Sequence, residues 1–124
     1  MKVQLTPAAL QEITVLRAAG YKGTGFLLGS TIGHFVIIDQ LLPLDFKRDN
    51  GDHVYRSVCA SYQQRLQGVF FCRRRPFVLD WFLHDLVMVI GGDQIEIRGC
   101  EFSDQKQKAV LIPLWEDKEE KWPN

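Results

Sequence analysis

Cys72 closes an apolar run, Val69-Phe70-Phe71-Cys72, and is followed at once by Arg73, Arg74 and Arg75. Neighbouring positive charge depresses a thiol pKa and raises the thiolate fraction, so this spacing admits a nucleophilic cysteine with His84 as its base. Asp85 adjoins His84, and Cys72, His84 and Asp85 together offer thiolate, imidazole and carboxylate donors. A zinc site made from them and a remote cysteine lacks the compact ligand spacing of structural zinc sites. The plainer reading of Cys72 is a buried small hydrophobe at a strand end, with the arginines turned to water. Adjacency in sequence does not by itself bring these groups together.

The Arg73-Arg74-Arg75 run also suits phosphate oxygens, with Phe70, Phe71 and Phe77 close by for stacking. Three arginines are a short run, however, and the chain's 15 Lys+Arg cancel its 15 Asp+Glu. That balance disfavours general polyanion binding, so nucleic acid is not the expected partner. Phe77 to His84 (FVLDWFLH) reads as a short helix, apolar on nearly every face. Such a segment is either core or a contact surface with Phe77, Trp81 and Phe82 as anchors, and Trp115 and Trp122 near the charged end favour a docking role. Gly20 to Gly25 is glycine-rich, but it follows a helix and enters a strand. That is the reverse of the order that points amides at phosphate.

These groups must be placed by the elements around them. Thr6-Pro7 opens a helix with a hydroxyl cap and proline at its first position, and Gly20 ends it. Gly25 to Gly29 is a short apolar strand, and His34 to Leu42 a central one forming a hairpin with it. Pro43 to Gly51 is polar and turn-prone. From Asp52, a possible cap, Tyr55, Val58, Cys59, Tyr62 and Leu66 recur at helical spacing until Gly68. Val69 to Cys72 and Leu86 to Ile90 are strands, and Gly91-Gly92-Asp93 turns into Gln94 to Phe102. Ala109 to Trp115 is the last strand. The expected fold is α+β, in the order α-β-β-α-β-α-β-β-β, with a mainly antiparallel sheet flanked by helices. Residues 1–115 form one domain, and residues 116–124 a charged, flexible tail.

The chain has 124 residues, 46% hydrophobic and 24% charged, which fits one globular domain with its own core. The residues after Met1 form no apolar leader, and no stretch approaches the roughly 20 apolar residues of a membrane span. A soluble cytoplasmic protein without a membrane role is expected. Cys59, Cys72 and Cys100 lie far apart, an odd number that reads as reduced thiols.

The element order, Gly25-Phe26-Leu27-Leu28-Gly29 after the first helix, the strand ending Leu42-Pro43-Leu44, and Gly68-Val69-Phe70-Phe71 resemble the JAB/MPN (JAMM) fold. The resemblance spans roughly residues 5–115 and implies a cytidine-deaminase-like, JAB/MPN-like architecture. Active members of that family are zinc hydrolases that cleave isopeptide or peptide bonds beside ubiquitin-like proteins. Two imidazoles and a carboxylate hold their metal, a glutamate accepts the proton of its water, and a serine helps stabilise the oxyanion. Here the glutamate position falls on Lys22, the His-x-His pair on Phe71-Cys72-Arg73 to within one residue, and the serine on Phe82. Only Asp85 matches, as the last ligand, and His34, His53 and His84 stand alone. The resemblance therefore implies a non-catalytic member, with no metal or cofactor, acting as an interaction or dimerisation domain with a protein partner or a second copy. The alternatives are a metal-dependent hydrolase with unrecognised ligands, a cysteine enzyme around Cys72, and a phosphate- or nucleic-acid-binding module using Arg73 to Arg75.

Charge is uneven along the chain. Residues 54–75 hold five arginines and no acid, whereas residues 76–124 hold ten acids against five bases. Either the acidic end folds back on the arginine segment, or the two meet across a subunit contact.

Overall fold

The computed structural model of this chain describes residues 2–82 and 85–117, with side chains as far as Leu111. The order is β1 (Lys2–Leu5), α1 (Pro7–Ala18), β2 (Gly23–Ile32), β3 (Phe35–Pro43), α2 (Gly51–Tyr62), β4 (Leu66–Cys72), β5 (Leu86–Ile90), β6 (Ile95–Ser103) and β7 (Lys108–Asp117). The strands form one sheet in the order β1-β3-β2-β4-β5-β6-β7. β1 runs parallel to β3 and β4 parallel to β5, while the other neighbours are antiparallel. The fold is α+β with a mixed, mainly antiparallel sheet. No helix among the described residues is long and apolar enough to cross a membrane.

Thr6 caps α1 by accepting the Ala9 N–H at 3.1 Å. At the other end Gly20, at φ +68°, lets its own N–H reach the Arg17 carbonyl and that of Tyr21 reach Leu16. This pair of bonds is a Schellman ending, and the left-handed φ is why glycine stands there. α1 lays Ala9 and Ile13 on one face of the sheet, against Leu27, Ile38, Phe70, Cys72 and Met88. α2 covers the other face, where Val58 joins Phe26, Val69, Phe71, Val87 and Cys100. Successive β4 residues thus point to alternate cores, as the pleat requires, and a strand covered on both faces is apolar throughout.

Four expectations need correction. β1 precedes α1, because four residues with little apolar signal gain a place by parallel pairing with β3. The stretch from Phe77 forms no α-helix among its described residues, only a 3-10 turn at Asp80–Phe82. α2 stops at Tyr62 and a 3-10 turn follows, so Leu66 opens β4 instead of extending the helix. β7 continues to Asp117, so Glu116 and Asp117 belong to a strand. The rest of the expected tail, from residue 118, lies outside the described residues.

Candidate functional site

The start of β2 and the end of β4 are paired, Gly23 opposite Cys72 and Thr24 opposite Phe71. That register brings Lys22 next to the Cys72-Arg73 corner, so two sets of positions singled out from the sequence share one end of the sheet. Thr24 is fully buried and anchors this corner. Its hydroxyl accepts the Phe46 N–H at 2.7 Å and donates to Asp45 Oδ1 at 2.9 Å. The same carboxylate oxygen accepts the Thr24 N–H at 3.0 Å and lies 3.6 Å from Arg74 Nη1. Tyr21 donates its O–H to the Thr24 carbonyl at 2.7 Å. Burial, then the Asp45 charge, pushes the Tyr21 phenol above its usual range.

Cys72 sits in this corner without being activated. It is fully buried among apolar side chains. Burial raises its thiol pKa, and the opposing charges of Arg73 and Arg17 are the smaller effects. Native Cys72 is therefore expected to react with a thiol-specific disulfide reagent at pH 7 at least about tenfold slower than a free thiol. Half-buried Cys59 should label before it. Peptide mapping after timed labelling checks this, and fast modification at Cys72 would restore the nucleophile reading.

Asp85 lies elsewhere. Cys72 pairs with Ile90 at the far end of β5, whereas Asp85 immediately precedes Leu86 at its start. About five residues of strand, roughly 16 Å, separate the two backbones. Their side chains also take opposite faces, since Asp85 faces Tyr55 of α2. Cys72 and Asp85 thus do not form one site, and His84 lies outside the described residues. Burial pushes the Asp85 carboxyl up to about 7, against a weaker lowering by the Tyr55 O–H at 3.5 Å. Burial and the Asp85 charge in turn push the Tyr55 phenol strongly upward. Burial, then Asp85, also raises the Cys100 thiol. Among the described residues no group of three or more His, Cys, Asp or Glu side chains could hold a metal ion.

The proposed surface anchors are largely interior. Phe82 is fully buried, and Phe77 and Trp81 are half-buried. All three rings surround Phe46, at centroid distances of 6.0 Å for Phe77, 5.7 Å for Trp81 and 6.2 Å for Phe82. Phe82 therefore serves packing and offers no surface. Arg73 and Arg75 are exposed, Arg74 is half-buried on Asp45, and the Trp115 side chain lies outside the described ones. The residues that organise both regions and escaped sequence reading are Tyr21, Thr24, Asp45, Phe46 and Tyr55. Of these only Tyr55 carried a local signal, its place on the apolar stripe of α2.

The chain matches no protein-family model and no curated protein. Its fold is similar to the solution structure of protein DSY2949 from Desulfitobacterium hafniense, with a TM-score of 0.55 and 15% identity, covering 96% of this chain and 97% of that one. At that identity the likeness shows the α+β fold alone.

Proposed function

We propose that the chain is a non-catalytic interaction domain, similar to the JAB/MPN fold, that self-associates through one side of α1. The observation that carries this reading is a mainly apolar groove of about 210 Å³ between α1 and the end of β3, lined by Val15, Leu16, Leu41 and Pro43 together with Gln11 and Glu12, whose carboxylate accepts the Leu41 N–H at 3.3 Å. Val15 is 55% exposed and Leu44, next to Pro43, 42% exposed. An apolar strip with a polar margin is the usual form of a contact surface. The sequence supports a non-catalytic role, because Lys22, Phe71, Cys72, Arg73 and Phe82 stand where the resemblance needs a base, two imidazoles and a serine. Phenylalanine cannot ligate zinc, and a guanidinium repels it.

Sedimentation velocity over a concentration series tests the proposal. The wild type should dimerise, and the Val15→Lys, Leu44→Lys double variant should dissociate at least about tenfold more readily, since a charge is introduced into each apolar patch. Both side chains already meet solvent, so the thermal midpoint should hold. A wild type that stays monomeric at the highest concentration would overturn the self-association reading.

A further inference from the structure

A second depression lies on the α2 side of the sheet, the face opposite the one that α1 covers. Its volume is about 450 Å³, and three separate segments build it: Arg48 from the β3–α2 connection, Pro76 to Val78 and Asp80 from the β4–β5 connection, and Lys108 with Ala109 from β7. Two cations, brought from separate segments, thus line one cleft together with a single carboxylate. Neither Arg48 nor Lys108 takes part in an ion pair among the described residues, although Arg56, Arg65, Arg74 and Arg98 do. Among the described residues these two charges thus have no acidic partner.

The cleft is also held in shape. The Arg48 guanidinium lies 4.9 Å from the centre of the Phe77 ring, a cation–π contact that restricts an otherwise mobile side chain. Phe77 is fixed in turn by Phe71 at 4.9 Å and Phe46 at 6.0 Å, both of them fully buried. An anion binding here meets a guanidinium already positioned, which lowers the ordering cost of association. The connection from Arg73 to Asp85 that carries the floor contains only the 3-10 turn among its described residues. Long connections of this kind, anchored by a rigid scaffold, are where binding groups collect.

We propose that this cleft binds a small organic phosphate. The phosphate sits between Arg48 and Lys108, and a flat apolar body lies along Pro76, Phe77 and Val78. Guanidinium and ammonium together match a phosphate dianion, the first through forked hydrogen bonds and the second as a point charge. Asp80, which is exposed, would repel an anion placed beside it. It instead suits a hydroxyl or amino donor on the ligand body. This site is independent of the self-association surface and stands or falls without it.

The test uses the full chain with phenyl phosphate as probe and inorganic phosphate as the comparison, followed by amide chemical shifts. Phenyl phosphate should saturate with a millimolar or lower dissociation constant and shift the amides of residues 48, 77–80, 108 and 109. It should bind about tenfold tighter than inorganic phosphate, because the ring adds apolar contact. Arg48→Gln with Lys108→Gln should weaken it by about tenfold or more while the thermal midpoint holds, and added salt should weaken the wild type only. Arg48→Lys should keep part of the affinity, which a general loss of structure would not allow. No saturable binding, shifts confined to Arg73–Arg75, or equal affinity for the two probes would overturn the proposal.

Discussion

Gly29→Ala is expected to destabilise the fold severely, at a cost above about 3 kcal/mol, a large share of the roughly 5–15 kcal/mol that holds a domain together. A Cβ at Gly29 would overlap the carbonyl of Ile37, a backbone group of β3 that cannot swing aside as a side chain would. The sheet is already irregular here, since the β2–β3 register shifts between Leu28 and Gly29 and leaves Asp39 unopposed. β2 lies between β3 and β4, so any retreat of one neighbour disturbs the other. Gly92→Ala is the control, with nothing within 4 Å of its added methyl. It should change stability by less than about 0.5 kcal/mol. Denaturant titration compares the two, and a Gly29→Ala protein within about 1 kcal/mol of wild type would contradict the close β2–β3 approach.

The same geometry explains the glycine spacing that carried the family resemblance. At Gly25 an added Cβ would meet the Leu42 carbonyl and the Phe70 ring. The bracketed strand thus reports backbone approach in a central strand, a requirement of packing and not of catalysis. What it signals about chemistry depends on its neighbours, and those are Lys22, Cys72 and Arg73.

Strands with two covered faces were legible. β5 has the bounds its apolar run implies, and β4 reads as buried because consecutive residues feed two cores. The stretch from Phe77 misled because its apolarity is not periodic. Its rings converge on Phe46, which sits in a segment made mainly of turn-formers and charges. That partnership is long-range, so no local window contains it. The Thr24–Asp45 bonds escaped for the same reason, being 21 residues apart.

Part of the arginine segment's charge is offset in space by acids from another part of the chain. Arg56 pairs with Asp52, Arg65 with Asp39 and Arg74 with Asp45, all acids from before residue 54. Among the described residues the arginine segment is thus balanced from the N-terminal half, not from the acidic end. Each of these pairs is at least partly exposed and contributes about 1 kcal/mol at most. Arg73 and Arg75 are the exposed remainder.

Asp85→Asn should make the protein more stable at pH 8 and remove a pH dependence that the wild type shows on the acid side of neutrality. The folded carboxyl titrates at about 7, well above the value of about 4 expected in the unfolded chain, because burial opposes its charge. Between those values the folded protein holds a proton that the unfolded chain has released, so stability falls as pH rises. The full contribution is present below about pH 4, declines to pH 7 and stays lost above it, with a total of up to about 4 kcal/mol. Asparagine keeps the shape and can still accept the Tyr55 O–H, but it carries no charge to desolvate. The variant should therefore exceed the wild type by a few kcal/mol at pH 8 and match it near pH 4. Lost repulsion would also ease ionisation of Tyr55 and Cys100, whose acidities Asp85 suppresses. Urea titrations at several pH values, with m held constant, measure the difference directly. Parallel curves for the two proteins from pH 4 to 8 would mean that Asp85 is solvated and ionised. A divergence that opens with rising pH would identify it as an acid whose ionisation is opposed by burial under α2.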